Sequence, residues 1–235
     1  MNKKQMRRFR KCIAAMLLAV VLCGLTVPAY AATETKAVET QASKKKIVII
    51  GDSRTANLRQ EQKGGKLVYD LLKQEGSILW DYKWGAKFSD MTTTLVPRLE
   101  MSGLDTIDRK TKIVLWMGYN DAVGTPTATA NDYVNYYNLM AALWEARGAK
   151  VYVVNVGPAG RRHGGATEAQ KREDKAKNKK IRAFNKTLKN GLRSDIKYID
   201  IYANLIETDY ATSDGTHYRP LTSKGIYRDI MKAVK

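Results

Sequence analysis

Short runs of β-branched residues alternate along the chain with stretches in which apolar residues recur every three or four positions. The runs are typical of buried strands, and the periodic stretches are typical of helices with one buried face. Strands are predicted at Lys46–Ile50, Ile78–Tyr82, Lys112–Met117, Lys150–Val156 and Ile196–Ile201. Because strand and helix alternate, we predict an α/β protein: a three-layer α/β/α sandwich around a parallel sheet of about five strands.

Residue types that carry chemistry follow four of these predicted strands. Ser53 follows the first strand, Gly85 the second, Asn120 the third, and Asp214 and His217 the fifth. In an open α/β sheet the carboxyl ends of parallel strands lie along one edge, where such folds have their sites. We therefore expect these five residues to meet at that edge.

Ser53, His217 and Asp214 form a candidate catalytic triad. A serine hydroxyl is a weak nucleophile until a neighbouring base takes its proton, and His217 can be that base. Asp214 stands three residues before His217 and can accept a hydrogen bond from the other ring nitrogen. The attacked carbonyl becomes an oxyanion, for which we predict three donors: the backbone N–H groups of Ser53 and Gly85, and the side-chain amide of Asn120.

Four ordered motifs resemble the blocks that define the SGNH (GDSL-type) hydrolases. These motifs are Gly51-Asp52-Ser53, Gly85, Gly118-Tyr119-Asn120-Asp121 and Asp214-Gly215-Thr216-His217. The resemblance covers the chain from about Lys46 to the C-terminus and implies a flavodoxin-like strand order. It also implies that Ser53 is the nucleophile, that Gly85 and Asn120 complete the oxyanion hole, and that no metal or other cofactor is needed. Members of the family are esterases, lipases, deacetylases and acyltransferases.

The N-terminal segment has the three parts of a secretory signal peptide. A basic region at Lys3–Lys11 precedes an apolar region at Ile13–Leu25 and a small-residue cleavage site, Ala29-Tyr30-Ala31. Both cysteines, Cys12 and Cys23, lie in this segment, so the rest of the chain holds no disulfide. This pattern favours an exported protein of Gram-positive type.

Three segments are predicted on this basis. They are a signal peptide over 1–31, a flexible linker over 32–44 and an SGNH hydrolase-like domain over 45–235. We expect the protein to be secreted or associated with the cell wall, with no stable membrane insertion once the signal is cleaved. Retention of the segment as an anchor is the alternative.

The chain is strongly basic, with 41 Lys and Arg residues against 23 Asp and Glu residues and a formal net charge of +18. Six of the basic residues and none of the acids lie in residues 1–31, which leaves +12 for the remainder. A basic exported protein concentrates near anionic polymers. We therefore predict an acylated carbohydrate or cell-wall polymer as the partner, and no nucleic acid. A surplus of lysines that only maintains solubility is the alternative.

Five side chains are predicted to contact the substrate. Arg54 follows the nucleophile, Trp84 precedes Gly85 and can stack on a sugar ring, and Arg161, Arg162 and His163 lie in the loop after the fourth strand. His163 is the only other histidine of the chain, but its glycine-rich loop is unsuited to holding a base within catalytic tolerance. The sequence has no cluster of His, Cys and acidic residues that would complete a zinc site, so no metal is predicted.

The sequence therefore predicts an exported serine esterase that hydrolyses an acyl ester, with acetyl preferred, on a carbohydrate or cell-wall polymer. An O-acyltransferase with the same triad is the first alternative, and the sequence does not separate the two. A non-catalytic wall-binding module is the second alternative, against which the complete set of Ser53, His217 and Asp214 argues. The oligomeric state is not predicted.

Overall fold

The computed structural model describes residues 46–64, 66–102 and 107–235. The predicted signal peptide and linker, residues 1–31 and 32–44, lie outside the described residues, and these two assignments stay predictions. Within the described ranges, no helix combines the length and the apolar character needed to span a bilayer.

The described part of the chain forms a sheet of six strands in the order β2-β3-β1-β4-β5-β6. The strands are β1 (Lys46–Gly51), β2 (Asp70–Glu75), β3 (Ile78–Lys83), β4 (Thr111–Trp116), β5 (Lys150–Val154) and β6 (Lys197–Ile199). All neighbouring pairs are parallel except β2 and β3, which pair antiparallel. Without β2, the parallel strands follow the 2-1-3-4-5 order of flavodoxin-like folds.

Helices connect the strands and cover the sheet. They are α1 (Ser53–Lys63), α2 (Phe88–Asp90), α3 (Val96–Met101), α4 (Tyr119–Val123), α5 (Ala130–Glu145), α6 (Glu168–Gly191), α7 (Ile201–Glu207) and α8 (Pro220–Val234). A π-helical turn, Met91–Leu95, joins α2 to α3. It ends two residues before Pro97, which has no N–H to donate to the preceding turn.

The sheet separates two apolar cores, as the alternation of β1 shows. Val48 and Ile50 pack into a core with side chains of α3, α5 and α6, whereas Ile47 and Ile49 pack into a second core with side chains of α1, α7 and α8. Successive side chains of a strand point to opposite faces, so a strand that is apolar throughout requires helices on both sides. The predicted three-layer α/β/α sandwich is confirmed.

The five predicted parallel strands are all present, and β2 is the element that the sequence pattern did not predict. Its sequence, Asp-Leu-Leu-Lys-Gln-Glu, is mostly polar and partly exposed. An edge strand has only one neighbouring strand, and charged residues on it are common. A search for apolar runs therefore does not find such a strand.

Candidate active site

The candidate nucleophile lies at the junction of β1 and α1. The buried Asp52 caps α1, because its carboxylate accepts a hydrogen bond from the Arg54 N–H at 2.9 Å. Burial raises the pKa of Asp52, although the nearby charge of Arg54 opposes this. Ser53 is the first residue of α1, where backbone N–H groups have no acceptor within the helix. Its N–H is therefore available to a developing oxyanion.

Ser53, His217 and Asp214 are arranged as a hydrogen-bonded chain. The Oγ of Ser53 lies 3.0 Å from the Nε2 of His217, and the Nδ1 of His217 lies 2.7 Å from the Oδ2 of Asp214. Both distances are within hydrogen-bond range. When Nδ1 carries the proton and donates it to Asp214, Nε2 is free to accept the serine proton.

Asp214 is held in its ionised form by the segment around it. Its Oδ1 accepts hydrogen bonds from the N–H groups of Thr216 and His217, both at 2.8 Å. Partial burial tends to raise the pKa of Asp214, but these hydrogen bonds and the one to the His217 ring outweigh burial, so the pKa lies below its ordinary value. The side chain is therefore a stable acceptor for His217 even though it is about half exposed.

Trp84 contacts the candidate base directly. Its ring is stacked on the ring of His217, with 4.6 Å between centroids and an interplanar angle of 26°. Tyr69, which is 61% exposed, meets Trp84 edge-on with 5.2 Å between ring centroids. The structure thus places Trp84 beside the triad, in contact with His217. Whether it also stacks on a sugar stays a prediction.

Gly85 and Asn120 are the two further candidate oxyanion donors: Gly85 lies in the turn after β3, Asn120 in the short helix α4 after β4, and the two segments contact each other. Gly85 has a φ of +70°, a left-handed conformation that favours glycine. The Nδ2 of Asn120 donates to the carbonyl of Ala86 at 2.9 Å, which uses one of the two amide hydrogens. The second amide hydrogen remains for a substrate oxygen.

Asp121, next to Asn120, joins these two loops. Its Oδ2 accepts from the Phe88 N–H and from the Tyr133 hydroxyl, both at 2.7 Å. Its Oδ1 accepts from the N–H of Thr127 at 2.5 Å and from the hydroxyl of the same residue at 3.0 Å. The carboxylate is buried and holds the loops after β3 and β4 in position.

Arg54 is a correction to the predicted substrate contacts. The residue is only 2% exposed, and its guanidinium donates to the carbonyls of Thr216, Gly157 and Pro158. It also packs over the ring of Tyr119 at 3.7 Å. A side chain enclosed in this way connects the nucleophile helix to the loop of His217. It is a positioning residue and not a substrate contact.

The loop of residues 157–165, here called the glycine-rich loop, carries the other three predicted contacts. Arg161 is exposed and pairs with Asp209 at 2.9 Å. Arg162 is largely enclosed; it pairs with Asp174 at 3.0 Å and donates to the carbonyl of Asp214. His163 is exposed and donates its N–H to the carbonyl of Thr212. None of the three forms a described hydrogen bond to Ser53 or to the ring of His217, and their role toward substrate stays a prediction.

No group of three His, Cys, Asp or Glu side chains that could hold a metal ion occurs among the residues that the structure describes.

Several solved structures are similar to this chain. A GDSL-like lipase from Bacteroides thetaiotaomicron is 19% identical with a TM-score of 0.55, over 81% of this chain and 87% of that chain. A proposed SGNH hydrolase from Slackia heliotrinireducens is 14% identical with a TM-score of 0.57, over 82% and 100%. A lipase/acylhydrolase from Enterococcus faecalis is 15% identical with a TM-score of 0.54, over 81% and 95%.

These likenesses, together with the sheet order, define the class: the protein has the SGNH hydrolase fold. No protein-family model matches the chain, and no curated protein matches it in sequence. At identities below 20%, the likeness to these structures extends to the fold alone.

Three contributions to this site were missed by the sequence reasoning. They are the stacking of Trp84 on His217, the joining role of Asp121 and the anchoring of the Asp214 segment by Arg162. For Asp121 a signal existed, because it directly follows Asn120 in the third motif. The other two contacts join segments far apart in the chain, and no local pattern indicates them.

Proposed function

We propose that the protein is a serine esterase that hydrolyses an acyl ester through Ser53, His217 and Asp214. The observation that carries this proposal is the geometry of the triad: 3.0 Å from serine oxygen to imidazole and 2.7 Å from imidazole to carboxylate. Similarity to structures named as lipases and acylhydrolases supports it.

In the first half of the reaction, the Oγ of Ser53 attacks the ester carbonyl carbon while Nε2 of His217 takes the serine proton. The carbonyl π electrons move to oxygen, and the oxyanion is stabilised by the N–H groups of Ser53 and Gly85 and the amide of Asn120. Collapse of this intermediate breaks the bond to the alcohol oxygen. His217 gives its proton to that oxygen, and an acyl-serine remains.

In the second half, a water molecule attacks the acyl-serine with His217 again as the base. The same three donors stabilise the second oxyanion. The carboxylic acid leaves, and the proton on His217 returns to the serine oxygen. Asp214 stays ionised throughout and orients the imidazole, in agreement with its lowered pKa.

We further propose that the substrate is an acylated carbohydrate or cell-wall polymer outside the cell, and that acetyl is the preferred acyl group. The N-terminal signal pattern and the net charge of +12 that remains beyond residue 31 support this assignment. The aromatic pair of Tyr69 and Trp84 beside His217 supports it as well, because aromatic rings offer apolar faces to sugars.

The proposal can be tested by assaying the purified protein with p-nitrophenyl esters of increasing acyl length and with acetylated glycans. We expect turnover that is highest for the acetyl ester, and labelling of Ser53 by a fluorophosphonate. The Ser53→Ala variant is the control and should be neither active nor labelled. Acyl transfer to added sugars in excess of hydrolysis would identify an acyltransferase. Absence of both activities in folded protein would favour a binding module.

A further inference from the structure

A cavity separate from the triad lies between the glycine-rich loop and helix α6. Its volume is about 540 Å³, within the range of roughly 300–1,000 Å³ that is typical of small-molecule sites. The charged side chains that line it are five cations and one carboxylate: Arg161, Arg162, Lys171, Lys175, Arg182 and Asp174.

One face of α6 forms a wall of this cavity. Lys171, Lys175, Asn178 and Arg182 are spaced by four, three and four residues, which places them in one row along a helix. Asn178 fixes this row against the glycine-rich loop, because its amide accepts from the Ala159 N–H and donates to the Ala159 carbonyl, both at 2.9 Å. The cationic side chains are thus presented to a defined concave space.

The walls neutralise their charge only in part. Arg162 pairs with Asp174 at 3.0 Å, Lys171 with Glu168 at 2.7 Å and Arg161 with Asp209 at 2.9 Å. Across the described ranges, no carboxylate lies within ion-pair distance of Lys175 or Arg182, and the Arg182 guanidinium donates to the hydroxyl of Tyr202 at 3.1 Å. Charges of one sign that line a concave surface concentrate their field in it, which attracts an oppositely charged ligand.

We propose that this cavity binds a phosphate group. An arginine guanidinium pairs with two phosphate oxygens at once, and a lysine ammonium adds a compact charge, so Arg182 and Lys175 together match this ligand. The cavity is larger than a phosphate alone requires, which leaves room for an attached polyol or sugar. The phosphate can come from a phosphodiester polymer or from the free ion.

The cavity is connected to the triad through its loop wall. The N–H of Gly160 donates to the carbonyl of Gly215 at 2.9 Å, and Arg162 donates to the carbonyl of Asp214. A polymer held at the cavity therefore contacts the same loop that supports the segment of Asp214 and His217. With the proposed esterase function, on which this part rests, the cavity is a subsite for the anionic part of an acylated polymer.

Calorimetry on the full chain with Ser53→Ala tests the binding without turnover. The ligands are inorganic phosphate and a short poly(glycerol phosphate) oligomer, both at low ionic strength because salt screens the attraction. In this background the double variant Lys175→Gln/Arg182→Gln should weaken binding at least tenfold. The matched control Arg172→Gln/Lys179→Gln removes the same charges from exposed positions of α6 that do not line the cavity, and should change affinity less than twofold.

Equal weakening by both double variants, or no binding of either ligand, would overturn the proposal.

The two ligands also distinguish the sources of the phosphate group. If the oligomer binds tighter by tenfold or more per phosphate, the source is the polymer; if the affinities are equal, the source is the free ion. With Ser53 intact, the cavity variant should raise KM for acetylated poly(glycerol phosphate) and leave p-nitrophenyl acetate unchanged. Binding without any esterase activity would refute only the proposed function, whereas esterase activity without binding would refute only the phosphate site.

Discussion

Two regions that carry the triad are built in different ways. One is the junction of β1 and α1, which carries Ser53, and the other is the loop of residues 208–219, here called the acid–base loop. The junction consists of a strand buried on both faces, an N-cap and the first turn of a helix, and Ser53 is only 4% exposed. The acid–base loop lies between α7 and α8 and has little regular structure, and the side chain of Asp214 is 53% exposed. One half of the triad is therefore placed by regular structure and the other by a loop.

The acid–base loop obtains its order from contacts with distant segments. The glycine-rich loop supplies the N–H of Gly160, the side chain of Arg162 and a backbone pairing between Arg161 and Thr212 at 3.0 Å. Arg54 adds a hydrogen bond from the nucleophile helix to the carbonyl of Thr216. The position of the proposed nucleophile therefore depends on its neighbours in sequence, whereas that of the proposed base depends on residues about fifty or more positions away.

The largest expected effect comes from removing either half of the triad. Ser53→Ala and His217→Ala should each lower kcat by about 10⁴-fold or more, because neither half functions alone. The matched control is His163→Ala, which removes the other histidine of the sequence and should leave kcat largely unchanged. Turnover of p-nitrophenyl acetate measures all three. An inactive His163→Ala with an active His217→Ala would move the base to the glycine-rich loop.

The second test disturbs only the support of the acid–base loop. A Cβ at Gly215 would overlap the guanidinium of Arg162, and the residue has a φ of +90°. The guanidinium would have to move away and would lose its hydrogen bond to the carbonyl of Asp214. Gly215→Ala should therefore loosen the segment of Asp214 and His217 and lower kcat by about tenfold to a hundredfold.

Gly164→Ala is the control for backbone strain at Gly215. Gly164 has a φ of +89°, and a Cβ there would meet nothing within 4 Å. We expect the kcat of Gly164→Ala to stay within about twofold of the wild type. Its loss of thermal stability, caused by backbone strain alone, should be comparable to that of Gly215→Ala. If the two variants lose turnover equally, the contact of Arg162 with the carbonyl of Asp214 does not position the acid–base loop.

A smaller effect is expected from the ring that stacks on the base. The imidazole becomes positively charged in the transition state, and an aromatic face stabilises such a charge by about 0.5–2 kcal/mol. Trp84→Leu should lower kcat by roughly threefold to thirtyfold, whereas Trp84→Phe keeps a ring and should retain most of it. An effect of both variants on KM alone would instead assign Trp84 to substrate binding.

The smallest effect on catalysis is expected from a substitution of Asp81 in the sheet, which should nevertheless change the stability of the protein measurably. Burial of Asp81 on β3 raises its pKa from 3.8 to about 7, although Arg98 pairs with it and opposes this. The folded state therefore holds this proton more tightly than the unfolded state does. The stabilising contribution is complete below pH 3.8 and is lost as pH rises toward 7.

Asp81→Asn should remove that pH dependence. The free energy of unfolding of the wild type, measured relative to this variant by urea titration, should fall between about pH 4 and pH 7, the interval between the unfolded and folded pKa values of Asp81. Relative kcat of the two proteins should not change over the same interval, because Asp81 is remote from the triad contacts. A constant stability difference would show that the carboxyl is already ionised at the acidic end of this interval.

The difference between the β1–α1 junction and the acid–base loop, local order against distant contacts, also explains which residues could be predicted from the sequence. Ser53 was found because four β-branched residues before Gly51 indicate a buried strand, and sheet geometry then places its end. Asp214 and His217 were found because they are three residues apart and His217 is one of only two histidines. Both kinds of signal are local or compositional.

Residues with partners far along the chain could not be interpreted in this way. Arg54 was predicted to contact the substrate, but its partners Thr216 and Gly157 lie more than a hundred positions away in the sequence. Strand β2 was missed for another reason, since it is polar and its identity as a strand depends on its neighbour β3. Tertiary contacts determine both the role of Arg54 and the strand conformation of β2, and a single sequence contains no direct record of such contacts.

The carboxylate of Asp121 has a consequence for how this site can change over evolution. It binds the backbone after β3, through Phe88, and the loop after β4, through Thr127, while Tyr133 holds it from α5. The segments that carry the two proposed oxyanion donors, Gly85 and Asn120, are therefore joined by one carboxylate, and a change of length in either segment would disturb the other.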